Sequence, residues 1–283
     1  MRNTKPLGLA AMAAAAALTL TACGGGGDEQ AGGGETGGSG ESVRIGIKYD
    51  QPGLGFRDGD QYTGFDVDVA TYVANELGYS ADQIEWVESP SANRENMLAN
   101  DQVDMIFATY SITEERDQTV DFAGPYFVAG QDLLVRAEDD SIQGPADLEG
   151  KNLCSVTGST SAQRVKDDQP GANLVEQPGY ADCLTALESG QVDAVTTDDI
   201  ILAGLASTEA NQGKFKVVGN TFSEERYGVG LPQGSDQCEA VNEAITKMID
   251  EGAWEEAVTA NTEGADYSYN AELNPPEPEP CGE

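Results

Sequence analysis

Histidine is absent from all 283 residues. Without an imidazole, Ser-His-Asp and Cys-His nucleophile pairs are excluded, together with most zinc sites and imidazole acid/base catalysis. Cations are scarce too: lysine and arginine number 15 against 50 aspartates and glutamates, a formal net charge of −35 at pH 7. A phosphate backbone is held by a lysine- or arginine-rich face, so this balance argues against a nucleic-acid partner. It also makes any basic residue that converges on a pocket notable. No Cys-x-x-Cys pair occurs, which leaves zinc the weaker reading of the cysteines. Beyond residue 22 no apolar stretch reaches the roughly 20 residues that a membrane span needs.

What is present begins with a leader. A basic head (Arg2, Lys5) precedes an apolar run over residues 7–20, which closes in Leu20-Thr21-Ala22-Cys23. The run is too short to span a bilayer and glycines follow at once, so residues 1–22 read as a signal peptide. The small residues before the thiol resemble the bacterial lipoprotein box, with Cys23 as the lipid-bearing residue. Residues 23–41 are almost entirely Gly, Glu, Gln, Ser, Thr, Asp and Ala, the composition of a flexible linker. The folded part is expected to begin near Ser42, and roughly 240 residues suffice for two modest lobes or one large domain.

Four cysteines remain, Cys154, Cys183, Cys238 and Cys281. An even count outside the cytoplasm suggests two disulfides. Three pairings are open, and the spacing favours local ones, 154–183 and 238–281. The second would pin the extended tail Asn274-Pro275-Pro276-Glu277-Pro278-Glu279-Pro280.

Short β-branched runs alternate with helical periodicity, the pattern of an α/β architecture. Val43-Arg44-Ile45-Gly46-Ile47 reads as a strand, residues 66–77 as an amphipathic helix with Val69, Val73 and Leu77 inward, and residues 84–87 as a second strand. One layout occurs twice: a helix end, a polar turn, Gln-Val-Asp, then a buried-type strand, over residues 97–107 and 186–195. Each copy ends in polar residues, Thr109 and Ser111 in the first, Thr197 and Asp198 in the second. Ligands of open α/β sheets bind beyond the carboxyl ends of strands, so these tips are where a site would be built.

Several spaced motifs together resemble one family. They are Gly64-Phe65-Asp66-Val67-Asp68-Val69 with Val73-Ala74 and Leu77, Tyr110-Ser111-Ile112-Thr113-Glu114-Glu115-Arg116, Val120-Asp121-Phe122, Pro125-Tyr126, and Lys151-Asn152-Leu153 through Thr157-Gly158-Ser159-Thr160. In this order they are similar to the bacterial family 3 extracellular solute-binding proteins, the polar amino-acid receptors of ABC importers. The similarity covers residues 43–258. It implies a two-lobe, type II periplasmic-binding-protein-like fold with a Venus-flytrap cleft and two crossovers, near residues 129–134 and 226–230. Lobe one would hold residues 42–130 and 229–283, and lobe two residues 131–228.

An amino acid poses a defined problem, since its α-carboxylate and α-ammonium must both leave water without being left unpaired. Arg116 suits the carboxylate, because charge-assisted bidentate bonds contribute roughly 1.5–3 kcal/mol each. The family resemblance adds Ser111, Ser159 and Thr160 to that shell, and a small-residue loop entering a helix can aim N–H groups at an anion. Asp198 matches the family aspartate that accepts the α-ammonium, with the Thr109 carbonyl as second acceptor. Asp198 or Asp199 also suits the cap of a helix starting at Ile200, so the two aspartates can divide these roles.

For the ligand's side chain, many relatives carry an acidic residue where this chain has Lys48. Ser91-Ala92-Asn93-Arg94 is similar to the Asn-Arg segment of glutamate/aspartate receptors, whose arginine meets the distal carboxylate. Lys48 and Arg94, with Arg57 as a third candidate, imply glutamate first, aspartate second, and glutamine or asparagine third. The family's aromatic clamp is replaced by Gln51-Pro52-Gly53-Leu54-Gly55-Phe56; Tyr49 and Phe56 are the nearest rings, and Tyr110, Tyr126 and Tyr227 read as packing residues. The resemblance implies no cofactor, no metal and no catalysis. It implies a monomer held by its lipid to the extracellular face of the cytoplasmic membrane, whose closed form a permease recognises. The rivals are an amino-acid-sensing surface lipoprotein and a dehydratase-like enzyme on the same scaffold, which would draw on Glu88, Glu114 or Asp198.

Overall fold

Residues 42–282 are described in the computed structural model of the protein; the leader, Cys23 and the glycine-rich linker lie outside the described residues. In chain order the first lobe holds β1 (Val43–Ile47), β2 (Asp50–Gln51), β3 (Gly55–Asp58), β4 (Gln61–Thr63), α1 (Phe65–Glu76), β5 (Ile84–Glu88), α2 (Arg94–Ala99), β6 (Met105–Ile106) and β7 (Val120–Ala129). The second holds β8 (Gln131–Arg136), β9 (Asn152–Val156), α3 (Thr160–Asp168), β10 (Asn173–Gln177), α4 (Tyr180–Glu188), β11 (Ala194–Asp198), α5 (Asp199–Ser207) and β12 (Phe215–Val217). The chain then returns through β13 (Glu225–Pro232) to α6 (Cys238–Asp250), α7 (Ala253–Thr262) and an extended tail.

Two five-stranded sheets result, ordered β5-β1-β6-β13-β7 and β10-β9-β11-β8-β12. The near-continuous apolar run of β1 is explained by its place between two parallel partners, β5 and β6, with a helix against it. Helix α1 buries Val69, Val73 and Phe65. The Phe65 ring meets Phe127 and Trp254 at centroid distances of 5.5 and 5.8 Å, so the return helices α6 and α7 close the first core. Both Gln-Val-Asp segments link a helix to a parallel strand, α2 to β6 and α4 to β11.

The chain changes sheets first at Gly130, between β7 and β8. The return crossing lies in residues 218–224, ahead of the 226–230 stretch that the family resemblance indicates. Arg226 is already paired with Val128 in the first sheet, and Glu225 with Ala129. The two crossings run side by side, with Phe222 N–H donating to the Gln131 carbonyl at 2.9 Å and Gln131 N–H to Ser223 Oγ at 3.0 Å.

Cys154 of β9 is bonded to Cys183 of α4, and Cys238 at the start of α6 to Cys281 in the tail. The tail lies along the outer strand β7. Val128 N–H donates to Asn274 Oδ1 at 2.9 Å, Asn274 Nδ2 to the Val128 carbonyl at 2.8 Å, and Glu279 N–H to the Gly124 carbonyl at 2.7 Å.

Candidate ligand-binding site

The tips of β6 and β11 meet. Thr109 and Ser111 from the first lobe, and Thr197 and Asp198 from the second, line one tightly closed pocket with a cavity volume of about 10 Å³. Gln51, Ser91 and Arg94 complete its first-lobe side, and Ser159 to Ser161, Tyr180 and Ile201 its second.

Thr109 has φ of 46°, a left-handed backbone that is strained for a β-branched residue. The strain is held by Asp66. Thr109 N–H donates to Asp66 Oδ2 at 3.0 Å, and the Tyr126 hydroxyl to Asp66 Oδ1 at 2.8 Å. Burial pushes the Asp66 carboxyl up to about 6, with those two hydrogen bonds opposing the rise. On the other side the Thr109 hydroxyl donates to Gln51 Oε1 at 3.2 Å.

Arg94 opens α2 and is only 2% exposed. Its Nη1 donates to the Ala108 carbonyl at 2.9 Å and its guanidinium lies 4.0 Å from the Tyr110 ring centroid, while Nε is buried with no hydrogen-bond partner. Burial, then the charge of Arg116, lowers its pKa to about 10. Lys48, also buried, donates from Nζ to Ser91 Oγ at 2.6 Å. Burial, then the charge of Arg94, pushes this lysine down to about 7. Neither forms an ion pair among the described residues.

Arg116 stands at the mouth, in a neighbouring cavity that shares Ser91, Ser159 and Thr160 with the pocket. Its Nη1 donates to the Ser111 carbonyl at 2.7 Å and Nη2 to the Gly158 carbonyl at 3.0 Å, so the guanidinium bridges the lobes. Its Nε lies 3.3 Å from Glu95 Oε1. Ser159 is the N-cap of α3, its Oγ accepting from Ala162 N–H at 3.0 Å. Beside it the Thr160 hydroxyl donates to Glu225 Oε2 at 2.9 Å and sits 3.4 Å from Ser111 Oγ.

Asp198 holds the N-cap position of α5 without a side-chain cap hydrogen bond, and Asp199 is the first residue of the helix. Asp199 Oδ1 accepts from Ile200 N–H at 2.8 Å and Gly130 N–H at 3.3 Å, which leaves Asp198 facing the pocket. Asp198 Oδ2 accepts the Tyr227 hydroxyl at 2.6 Å. Burial, and next the charge of Glu225, raises the Asp198 carboxyl well above its usual range.

Arg57 is not brought here. The β3–β4 hairpin turns it to solvent over the Tyr49 and Tyr62 rings, at 5.3 and 5.7 Å, with Nε donating to the Gly59 carbonyl. Tyr49 and Phe56 do not line the pocket, and Glu88 and Glu114 are exposed outside it. Sequence reasoning missed Gln51 and Tyr180 as pocket-lining residues, and Asp66 as the residue that holds Thr109. Asp66 carried a signal, being an acid on the buried face of an amphipathic helix, and Gln51 opens the segment that stands in place of the family's aromatic clamp; Tyr180 carried none, because its place at the pocket depends on how the two lobes face each other. The Tyr180 hydroxyl lies 2.5 Å from Thr197 Oγ1, so Tyr180 is the one ring that lines the pocket among the described residues.

The chain matches the model of the bacterial extracellular solute-binding proteins, family 3, over residues 43–260. It is 47% identical over 232 residues to glutamate-binding protein GluB of Corynebacterium efficiens, covering 78% of each chain. To the ABC transporter glutamine-binding protein GlnH of Bacillus subtilis it is 36% identical over 220 residues, covering 76% of this chain and 79% of that one. Among solved structures, an ancestral arginine-binding protein bound to glutamine superposes with a TM-score of 0.72 at 33% identity, covering 77% of this chain and 96% of the other. A cleft between two sheets, a shared sequence over most of the folded part and the same two-lobe architecture together place this chain in the bacterial extracellular solute-binding proteins, family 3.

Proposed function

We propose that the protein is the receptor of an amino-acid ABC importer, with glutamate as first ligand and aspartate as second. The carrying observation is Arg94, a buried cation lining the pocket with no carboxylate partner and with Nε lacking an acceptor. A buried polar group left unmade costs about 1–3 kcal/mol, more when charged, and a distal carboxylate removes that penalty. The same negative charge favours the ionised form of Lys48 behind Ser91. The α-carboxylate is taken by Arg116 with Ser111, Ser159 and Thr160, and the α-ammonium by Asp198 and the Thr109 carbonyl. An ammonium beside Asp198 favours its ionised form in the same way.

The glutamate-binding relative supports this ligand class, and the glutamine-binding relative makes glutamine the runner-up. Lobe one is read as residues 42–130 with 225–283, lobe two as 131–224, closing on the ligand for delivery to a membrane permease. Cleavage before Cys23 and lipid attachment to it would hold the receptor on the extracellular face of the cytoplasmic membrane. Of the three carboxylates open to a dehydratase-like reading, only Asp198 lines the pocket, which favours binding over catalysis.

Calorimetric titration with L-glutamate, L-aspartate, L-glutamine, L-asparagine, L-histidine and L-arginine tests the reading. One-to-one binding of glutamate or aspartate, about −8 kcal/mol if micromolar, is the expected result. Binding of neutral or basic amino acids alone would discard the acidic reading.

A further inference from the structure

Asp50, Gln51 and Pro52 are consecutive in the first lobe, and each makes a different contact at the cleft. Asp50 Oδ2 accepts the backbone N–H of Tyr180 at 2.9 Å. Gln51 Oε1 accepts the Thr109 hydroxyl. The Pro52 carbonyl presses on Gly204 of α5, where an added Cβ would overlap its oxygen.

Tyr180 is the first residue of α4, a helix of nine residues whose N-cap, Gly179, supplies no side-chain cap. First-turn amides need acceptors, and the positive end of a helix favours a carboxylate. Here the acceptor comes from the opposite lobe. Gly179 leaves room for it, since a Cβ there would stand 2.7 Å from Asp50 Oδ2. The receiving helix is firmly seated by the Cys154–Cys183 bond. The residue that donates this N–H is also the one whose ring lines the pocket.

We propose that Asp50 is a positioning residue that latches the closed cleft, capping α4 across the lobes and so holding Tyr180 and Gln51 against the ligand. The inference rests on the reading of the protein as a receptor that closes on an amino acid. An acceptor present only when the lobes meet stabilises the closed form alone, so its effect falls on release rather than capture.

The test compares Asp50→Ala and Asp50→Asn with the parent protein, using whichever amino acid the parent binds. Ligand release by stopped flow, ligand-free melting temperature and the interlobe distance from a fluorophore pair are the readouts. Asp50→Ala is expected to speed release about tenfold with capture changed by less than about twofold, and to leave the ligand-free melting temperature unchanged. Asp50→Asn, which keeps an acceptor, should recover most of the loss. Unchanged release, a parallel fall in ligand-free melting temperature, or an asparagine variant no better than alanine would overturn the latch. If the parent binds none of the six amino acids, the proposed function fails and the latch is judged separately. In that case a longer ligand-free interlobe distance in Asp50→Ala supports it, and an unchanged distance overturns it.

Discussion

Tyr227 donates its hydroxyl to Asp198 Oδ2 at 2.6 Å, tying a strand of the first sheet to a strand tip of the second. Both residues are buried, so the carboxylate assigned to the α-ammonium is reached from both lobes before any ligand is considered.

That carboxyl gives the protein a pH dependence of definite sign. Burial raises Asp198 from 3.8 to about 8, so its contribution to folding is complete below about pH 4 and is lost as pH rises through about 8. Asp66 and Asp199, each pushed up to about 6, act in the same direction, whereas Lys48, pushed down to about 7, acts in the opposite one. The Asp198 share is therefore read as a difference. Ligand-free Asp198→Asn should lose less melting temperature than the parent between pH 5 and pH 8. Parallel curves would show that Asp198 is ionised in the folded protein.

Arg94→Ala should weaken glutamate at least about tenfold more than glutamine, the loss of one charge-assisted contact. Arg94→Met, which removes a buried unpaired charge while keeping an apolar stem, should leave the ligand-free melting temperature unchanged or raised. Calorimetry with both ligands and thermal unfolding of both variants decide the point; equal losses for the two ligands would remove Arg94 as reader of the side chain.

The residues that were legible are those whose chemistry is unusual for their surroundings. Lys48 and Arg94 were singled out by the positions they share with the family resemblance, in a chain with few cations, and the structure buries both beside the pocket. Asp198 and Thr109 were legible because strand tips after a repeated Gln-Val-Asp layout mark the site end of a sheet. Arg57, the third candidate, is not brought to the pocket, and only the tight β3–β4 hairpin determines that it faces solvent. The bounds of the second crossover were less legible, because the first residues of β13 already pair in the first sheet, ahead of a register shift between Tyr227 and Val229.

Arg116→Ala should abolish binding of every amino acid in the panel. The substitution removes the cation assigned to the shared α-carboxylate and a bridge between the Ser111 and Gly158 carbonyls of the two lobes. Retention of micromolar affinity in calorimetry would take Arg116 out of this role.

Gly204→Ala separates closure from ligand contact. Alanine favours a helix interior by about 1 kcal/mol over glycine, so α5 and the ligand-free melting temperature should hold or improve. The added methyl collides with the Pro52 carbonyl only when the lobes meet. Affinity should fall and the ligand-saturated interlobe distance should lengthen; a normal closed distance would show that the Pro52 loop yields.

The tail that runs along β7 has a consequence for solubility. An outer strand with free N–H and C=O groups is a template for pairing with another chain. In this protein the amide of Asn274 imitates a neighbouring peptide group on Val128, and Glu279 satisfies Gly124, while the Cys238–Cys281 bond keeps both in place. A protein cut after residue 262, or reduced at that bond, would keep both sheets yet bare the edge of the first. Such a molecule should show larger particles in light scattering than the intact protein does at the same concentration.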